Sequence, residues 1–387
     1  MKAILNSERE GQVVGRELRS GRLVRLSWNG GLVRQRAVLE DDGRDYRWIA
    51  PSLFDLQVNG FGGVDFQSPT ISIEELTGAV VALQERGCGG VLVTLITDDW
   101  TSMLAKLERL MAFRESCPRL RQFILGWHLE GPFLSSLEGF RGAHPAAMMR
   151  DPDPDIIPSI MRITGKVPVL MTIAPERRGA VSMIKEAVEQ DIRVSLGHSA
   201  ASAAELRAAI DAGARGITHF GNGCPQLWER HDNWFWSVSD CLDLYVGLIP
   251  DGIHLPGPVF RGMHRMLKDR HQVYYTSDAM SAAGAGCGRF SLAGHLLEVG
   301  EDQVVRQPGQ PNFAGSALSP LDGVLRASAM LGGDWRDAWN RFSRVPAVFM
   351  GIDWEITEGR AVNFCAIDVP DTGTPEHVEF FYCDSDL

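Results

Sequence analysis

The sequence lacks the cysteine pairs that stabilise small secreted domains. Its seven cysteines, an odd number spread over 387 residues, include no CxxC spacing. A disulfide framework needs paired cysteines in an oxidising compartment. We therefore predict that these residues pack as small apolar side chains in a reducing compartment.

The sequence also lacks long apolar runs. No segment approaches the roughly 18 uninterrupted apolar residues of a membrane span. The first residues, MKAILNSEREGQVV, reach charge before the apolar core of a signal peptide is complete. We therefore expect no membrane partner and a cytoplasmic location.

A third absence is a run of basic residues. The formal net charge is -11 at pH 7. Binding to a nucleic acid backbone needs a Lys/Arg surface, so we expect no nucleic acid partner. An anionic small substrate stays compatible with this charge, because the local charge of a pocket can oppose the global sign.

What is present is the composition of a soluble globular enzyme, with 44% hydrophobic and 22% charged residues. The length suits one large barrel plus a smaller companion domain, and it exceeds that of a single compact sandwich.

The two ends of the chain share one pattern. Residues 1–50 and 355–387 alternate short apolar and polar runs separated by glycine or other turn residues, which is typical of strands and turns. We predict that the two segments pair into one small β-sandwich domain. The alternative, two unrelated β extensions, stays open at this point.

Residues 51–354 alternate apolar runs with amphipathic segments that begin near a Ser or Thr cap. No GxGxxG follows the first run, which argues against an open dinucleotide-binding sheet. The pattern predicts a (β/α)8 TIM-like barrel. Its eight expected strands are 52–58, 90–97, 122–130, 167–174, 193–199, 216–220, 244–250 and 273–278.

Four of these strands end on, or just before, residues that hold or use a metal ion: Glu130, His198, His219 and Asp278. In a parallel barrel the carboxyl ends of the strands meet at one mouth, so we expect the four side chains to lie together. A single His at a strand end is more often structural, and Asp278 has a simpler role open to it as the cap of the next turn. Together they predict a metallohydrolase with Glu130, His198 and His219 as ligands and Asp278 as acid and base.

At this point six motifs add a resemblance: DLQVNGFGGVDF, HLEGPFLS with GAHP after it, SLGHSAA, THFGNGCP, PDGIHLP and TSDAMSAAG. In this order and spacing, over nearly the whole chain, they resemble the N-acetylglucosamine-6-phosphate deacetylase family of the amidohydrolase superfamily. The resemblance implies a barrel with a small β-sandwich, a homodimer, and hydrolysis of N-acetyl-D-glucosamine 6-phosphate to D-glucosamine 6-phosphate and acetate. N-acetylgalactosamine 6-phosphate is the alternative substrate.

The resemblance also implies roles for further residues. His144 matches a catalytic residue near the substrate carbonyl, and His254 matches one that binds substrate. Asn222 and Gly223 match phosphate contacts. Arg230 matches an arginine that reaches the phosphate from the partner subunit.

Charge supports part of this assignment. A phosphate dianion in an acidic protein needs local donors, and Arg230, His231 and His254 are the candidate cationic cluster. A solvated surface position is the alternative for Arg230. The aromatic residues of the loop WERHDNWFW have two interpretations, covering a sugar face or packing at a dimer interface.

The first strand departs from the superfamily. Many amidohydrolases carry His-x-His there and hold two metals, whereas this chain has Gln57 and Asn59. Amides are poor ligands for transition metals, so we predict one divalent ion per subunit, with Zn²⁺ as the first candidate. We count Gln57 and Asn59 as candidate substrate-binding residues. Phe313, before the loop that resembles the family's acetyl-site segment, is a further departure that bears on substrate preference.

Overall fold

The computed structural model of the chain describes residues 1–241, 244–267, 272–308, 313–370 and 373–383. The strands of this described part are, in chain order, β1 (Ile4–Asn6), β2 (Glu10–Glu17), β3 (Leu23–Asn29), β4 (Leu32–Val38), β5 (Trp48–Pro51), β6 (Leu53–Val58), β7 (Gly60–Phe61), β8 (Val64–Asp65), β9 (Cys88–Ile96), β10 (Ile124–Glu130), β11 (Val169–Ile173), β12 (Arg193–Leu196), β13 (Gly216–Ile217), β14 (Tyr245–Leu248), β15 (Gln272–Tyr275), β16 (Gly288–Leu292), β17 (His295–Val299), β18 (Val305–Arg306), β19 (Asn363–Asp368) and β20 (His377–Tyr382).

The helices follow the amphipathic segments of the sequence. Ser72 and Ser202 begin two of them with capping boxes, in which the serine side chain and a glutamate three residues later exchange hydrogen bonds with the backbone. The helices are α1 (Ile73–Gln84), α2 (Trp100–Ser116), α3 (Pro118–Phe123), α4 (Ile157–Thr164), α5 (Ala180–Glu189), α6 (Ala203–Asp211), α7 (Trp234–Asp240), α8 (Gly257–Leu267), α9 (Pro320–Leu331), α10 (Trp335–Arg341) and α11 (Arg344–Met350).

Two of the expected Ser or Thr caps were wrong. The N-cap of α2 is Asp99, whose carboxylate accepts the Ser102 N–H. The N-cap of α5 is Gly179, which stands in the left-handed region at φ 88° and has no side chain that could cap the helix. No helix of the described part has the length and apolarity to cross a membrane.

Eight strands form the predicted barrel. They lie in the order β6, β9, β10, β11, β12, β13, β14, β15, and each pair of neighbours is parallel. All eight expected strands are therefore confirmed. The apolar faces of the helices pack on the barrel: Leu76, Leu107 and Met183 lie in the same buried cluster as Val93 of β9.

The barrel closes between β6 and β15 without a regular ladder. A parallel bridge joins Val58 to Ala279, and the Asn59 N–H donates to the Ala279 carbonyl at 2.7 Å. The segment past β15 is tied on its other side as well, because Ser316 donates its N–H to the Asp278 carbonyl at 2.9 Å.

A buried carboxylate completes this closure. Asp55 of β6 is 0% exposed. Its Oδ1 accepts the Thr276 hydroxyl at 2.5 Å and the Gln57 N–H at 3.1 Å, and its Oδ2 accepts the Ser277 N–H at 3.1 Å. The side chain thus supplies acceptors where a neighbouring strand would otherwise present carbonyl groups.

The terminal segments form one seven-stranded sheet in the order β1, β20, β19, β5, β2, β3, β4. In a flat sheet β3 would lie three strands from β19, about 14 Å away. The ring of Trp28 on β3 nevertheless lies 5.8 Å from Phe364 on β19 and 5.3 Å from Phe381 on β20. The sheet therefore folds over its own apolar core.

Strands from both ends of the chain share this sheet, as predicted, so the alternative of two unrelated extensions is wrong. The division of the chain into 1–50, 51–354 and 355–387 stays a prediction, and residues 384–387 lie outside the described part.

One element was missed. No strand was predicted between Asp278 and residue 355, but β16, β17 and β18 form a three-stranded antiparallel sheet there. We call residues 288–306 the flap. Its hairpin turns at Ala293 and Gly294, both at positive φ, as a two-residue hairpin requires. Leu297 and Val299 pack with Met280 in a small buried cluster.

The closure of the barrel generates a prediction about pH. Burial raises the pKa of Asp55 to about 6, above the value of about 3.9 expected when unfolded. Between these values the folded chain binds more protons than the unfolded chain, so its stability falls as pH rises. Asp55→Asn keeps the Oδ1 acceptor without the charge. We expect the unfolding free energy of the wild type to fall by up to about 3 kcal/mol relative to this variant between about pH 4 and pH 7.

Urea unfolding across that pH range measures the difference. Asp211→Asn, at an exposed position at the end of α6, is the matched control and is expected to run parallel to the wild type. Parallel curves for Asp55→Asn and the wild type would contradict the prediction.

Candidate metal centre

The four predicted strand-end residues meet at one mouth of the barrel. Glu130 is the last residue of β10, and His198, His219 and Asp278 lie just past the ends of β12, β13 and β15. Glu130, His198 and His219 are 3%, 6% and 3% exposed, and Asp278 is partly exposed. The structure therefore brings together side chains that are up to 148 positions apart in the sequence (278 − 130).

The backbone at this mouth is strained. His198, His219 and Asp278 have φ values of 48°, 28° and 51°, in a region that residues with a side chain rarely adopt. Six non-glycine residues of the described part have a positive φ, and half of them are these three. Such conformations cost about 1–3 kcal/mol each and tend to collect at functional sites.

The ligand atoms of the first three residues form a tight triangle. Nε2 of His219 lies 2.8 Å from Oε1 of Glu130 and 3.2 Å from Nε2 of His198, which in turn lies 3.4 Å from the same Oε1. Two ligands of one tetrahedral Zn²⁺, each about 2.0–2.1 Å from it, stand roughly 3.3 Å apart. The triangle therefore fits one ion of this kind.

The surroundings of His198 favour its Nε2 as a ligand atom. Nδ1 lies 2.9 Å from the Phe140 carbonyl and donates its proton there, which leaves the Nε2 lone pair directed at the triangle. Gly223 packs against the same ring: a Cβ at that position would lie 2.5 Å from Nδ1. Any larger residue at position 223 would displace the imidazole.

His144 joins the same cluster. Its Nε2 lies 4.0 Å from Oε2 of Glu130, and its ring lies 4.7 Å from that of His198. Glu130, His144 and His198 also satisfy the spacing of a metal site. Burial lowers the pKa of His144 to about 3, so this ring is neutral. We call Glu130, His144, His198 and His219 the His–Glu cluster.

Asp278 lies beside this cluster. Its Oδ1 accepts a hydrogen bond from Nδ2 of Asn59 at 2.8 Å. Burial, and then the negative charge of Glu130, raise the pKa of Asp278 to about 7. The hydrogen bond thus orients the carboxylate, and its pKa lies near neutral pH. Both properties suit a group that accepts and returns a proton.

The two amides of the first strand are buried at 2% exposure each. Nε2 of Gln57 and Oδ1 of Asn59 have no hydrogen-bond partner within the described residues. Buried polar atoms are rarely left without a partner, so both are free to contact a substrate.

His254 lies in the loop past β14, the strand between β13 and β15. Its Nδ1 lies 2.6 Å from Oδ2 of Asp251, and the ring of Phe313 lies 5.3 Å from the imidazole. Because Asp251 accepts the Nδ1 proton, Nε2 of His254 is the nitrogen left for a ligand.

The predicted phosphate residues divide into two groups. Asn222 follows His219 and donates to its carbonyl at 3.2 Å, so it belongs to the mouth. Arg230 and His231 are exposed on the loop before α7, and no hydrogen bond or ion pair of the Arg230 side chain occurs within the described ranges. Leu227, in the same loop, and Trp236, in the first turn of α7, are 90% and 50% exposed. Within the described ranges no hydrogen bond joins Arg230 or His231 to His254, and the cationic cluster of these three residues stays a prediction.

Two polar residues of the site were missed. Thr97 lies 2.8 Å by its Oγ1 from Nδ1 of His144, and Asp251 holds His254. Thr97 ends an expected strand and could have been found by the same rule as Glu130. Asp251 lies within the motif PDGIHLP, but its role is visible only through its contact with His254.

No family model matches the chain, but single relatives do. The human N-acetylglucosamine-6-phosphate deacetylase is 31% identical over 365 residues, covering 87% of this chain and 86% of the human protein. The chain belongs to the N-acetylglucosamine-6-phosphate deacetylase family. The resemblance inferred from the six motifs is confirmed.

Other members of this deacetylase family are also similar. The N-acetylgalactosamine-6-phosphate deacetylase of Escherichia coli O157:H7 is 28% identical over 330 residues, covering 84% of this chain and 85% of that protein. The structure of a variant of the Mycobacterium smegmatis N-acetyl-D-glucosamine-6-phosphate deacetylase, in complex with N-acetyl-D-glucosamine 6-phosphate, has a TM-score of 0.83. It is 24% identical, and the match covers 96% of this chain and 99% of that one. At 24% identity this similarity supports the fold of the chain alone.

The His–Glu cluster generates a prediction about its members. Glu130→Gln, His198→Asn and His219→Asn are each expected to lose the bound ion, because each removes one corner of the triangle. His144→Asn is expected to keep it, because its Nε2 stands 4.0 Å from the nearest carboxylate oxygen. Metal analysis of the purified variants by plasma mass spectrometry measures the content.

The matched control is His295→Asn, on the exposed surface of the flap, which should retain the ion. If His144→Asn lost as much metal as His219→Asn, His144 would have to be counted as a ligand.

Proposed function

We propose that this chain hydrolyses the acetamide of N-acetyl-D-glucosamine 6-phosphate to D-glucosamine 6-phosphate and acetate. The observation that carries the proposal is the meeting of Glu130, His198 and His219 beside Asp278 at the mouth of the barrel. Membership of the deacetylase family supports the reaction class, since its relatives are named for this substrate or for its galactosamine epimer.

Glu130, His198 and His219 hold one divalent ion in this proposal, with Zn²⁺ as the first candidate. Such an ion, when bound, supplies Lewis-acid polarisation of a carbonyl and lowers the pKa of a bound water to about 7. Imidazole and carboxylate ligands at tetrahedral spacing suit zinc. The amides of Gln57 and Asn59 are poor ligands for a second ion, so the centre holds one metal.

Asp278 moves the proton. Asn59 occupies Oδ1 of this carboxylate, which leaves Oδ2 to accept the proton of the attacking water. The same Oδ2 then returns the proton to the sugar nitrogen as the carbon–nitrogen bond breaks. A carboxyl group with a pKa near neutrality can carry out both transfers.

His144 stabilises the negative charge on the carbonyl oxygen. The Thr97 hydroxyl lies 2.8 Å from Nδ1 of His144 and 3.4 Å from the Glu130 carbonyl. The shorter contact favours donation from Thr97 to Nδ1, which leaves the proton of the neutral ring on Nε2. Oε2 of Glu130, 4.0 Å away, favours the same tautomer. The ring then donates from Nε2 to the developing oxyanion.

The phosphate is bound between two copies of the chain. In this proposal Asn222 and the Gly223 backbone contact the phosphate beside His219, and His254 contacts the substrate from the neighbouring loop, past β14. Arg230 is exposed and unpaired within the described part of one chain, next to the exposed Leu227 and Trp236. In our proposal these apolar side chains pack in a homodimer, and Arg230 reaches the phosphate of the partner subunit.

N-acetylgalactosamine 6-phosphate is the second candidate substrate, because the relative from Escherichia coli O157:H7 is named for it. An assay of acetate release from both 6-phosphates, run beside metal analysis, tests the proposal. No release from either sugar would overturn it. A cytoplasmic location is also proposed, since none of the seven cysteines, all within the described residues, forms a disulfide bond, which suits a reducing compartment.

The role of Asp278 generates a prediction. Asp278→Asn removes the proton acceptor but keeps the shape of the side chain. We expect kcat to fall by about 10²- to 10⁴-fold while the metal content stays at the wild-type level. Steady-state kinetics and metal analysis on the same preparation measure both. Appreciable turnover by the metal-loaded variant would sink the assignment of Asp278 as acid and base.

The role of Arg230 generates another. Loss of a charge-assisted contact to phosphate costs about 1.5–3 kcal/mol, so Arg230→Ala is expected to raise KM for the 6-phosphate about 10- to 100-fold. Activity on unphosphorylated N-acetylglucosamine should change little. Arg25→Ala, on the exposed face of β3, is the matched control.

Mixing two variants tests the origin of Arg230. A dimer of one Arg230→Ala chain and one Asp278→Asn chain has one site with both residues intact only if Arg230 crosses the interface. Refolding the two variants together should then restore turnover with the wild-type KM, which neither variant has alone. No restoration in verified mixed dimers would place Arg230 in the site of its own chain.

A further inference from the structure

Strand β11 stands between two strands that carry ligands, but it carries none itself. Its neighbours are β10, which ends on Glu130, and β12, which leads to His198. The loop that follows β11, residues 174–179, therefore lies between the two ligand-bearing loops. We call it the bridging loop.

Glu176 of the bridging loop binds the segment just after His198. Its Oε2 accepts the Ser199 hydroxyl at 2.7 Å, and its Oε1 accepts the Ala200 N–H at 2.8 Å. Both carboxylate oxygens are thus used on one neighbouring loop. Hydrogen bonds to a charged acceptor are stronger than those between neutral groups.

The residues on either side of Glu176 bind the opposite loop. The Ala174 N–H donates to the Phe133 carbonyl at 2.9 Å. Arg177 donates from Nη1 to the Ser136 hydroxyl at 3.3 Å and pairs with Asp151 at 2.9 Å. Phe133 and Ser136 follow Glu130 in sequence. The bridging loop therefore joins the segment after Glu130 to the segment after His198.

The conformation of His198 needs such support. At φ 48° its backbone is in a conformation that persists only when the surroundings hold it. Its carbonyl accepts the Ser135 N–H at 2.9 Å, and its ring is held by the Phe140 carbonyl. Glu176 restrains the next two residues. Because the chain direction through residues 198–200 sets where the imidazole points, these contacts also set the position of Nε2.

We infer that Glu176 is a positioning residue for the metal centre: it holds His198 in its ligand-binding orientation and thereby sets the affinity for the ion. The inference rests on the proposed metal centre. We propose no direct contact between Glu176 and the substrate or the metal. The alternative is a purely structural role, in which Glu176 only closes the turn before α6. Replacing Glu176 would then lower the stability of the protein and leave its affinity for the metal unchanged.

The test measures metal affinity in the folded protein. Competition of the apo chain with a coloured chelator for Zn²⁺ gives the dissociation constant of the wild type, Glu176→Gln and Glu176→Ala. We expect Glu176→Ala to bind the ion about 10- to 100-fold more weakly, the range typical of residues that support metal ligands. Glu176→Gln, which keeps one acceptor oxygen at the same reach, is expected to lose less. If the alanine variant does not fold, the metal affinity of Glu176→Gln tests the inference in its place.

A second readout separates positioning from catalysis. Acetate release measured against Zn²⁺ concentration should shift to higher metal in both variants and return near the wild-type kcat at saturation. Glu189→Ala, at an exposed position at the end of α5, is the matched control and should bind as the wild type does.

The outcomes are distinct. A wild-type chain that binds no ion overturns the metal centre and this inference with it. A wild type that binds, with a folded Glu176→Ala variant of equal affinity, overturns the inference alone. A variant whose kcat stays low at saturating metal also overturns it, because Glu176 would then act on the reaction itself.

Discussion

The structure depends on one costly arrangement, a carboxylate and two imidazoles held within 3.4 Å of one another inside a barrel mouth. Burial alone would raise the pKa of Glu130, but the contacts with His198 and His219 outweigh it and hold that pKa well below its usual range. A buried charge is tolerated only where a partner compensates it. His198 and His219 are these compensating partners, and both have a strained backbone. The hydrogen bonds around them hold the two imidazoles in place.

Much of the fold could be predicted because its signals are local. Period and composition mark each barrel strand, and the convergence of parallel strands then brings Glu130 and His198 together without any knowledge of their contacts. The flap escaped because its hairpin turns on Ala293 and Gly294, which lack the Asn-Gly or Asp-Gly signature. The curl of the terminal sheet also escaped, because the packing of Trp28 on Phe364 depends on strand order, which is set by the whole chain.

The site was predictable only where chemistry and position coincide. His219 is notable both for its imidazole and for its place at a strand end. The sequence gives no such signal for Glu176. A glutamate that accepts hydrogen bonds from a backbone N–H and a hydroxyl cannot be told, in sequence, from a solvated glutamate. Arg230 shows a different limit. Its residue type suggests a phosphate, but its guanidinium group meets no partner within the described part of one chain. Its proposed role therefore depends on a dimer, which one sequence does not display.

The flap lies in the chain between two segments that are bound to the barrel, one at Ala279 and the other at Ser316. Ala279 pairs with Val58 on one side and Ser316 on the other, so the backbone of Asp278 is fixed independently of the intervening hairpin. The hairpin turn of the flap at Ala293 and Gly294 lies outside both of these ties. A segment inserted at that turn is therefore not expected to move the carboxylate of Asp278.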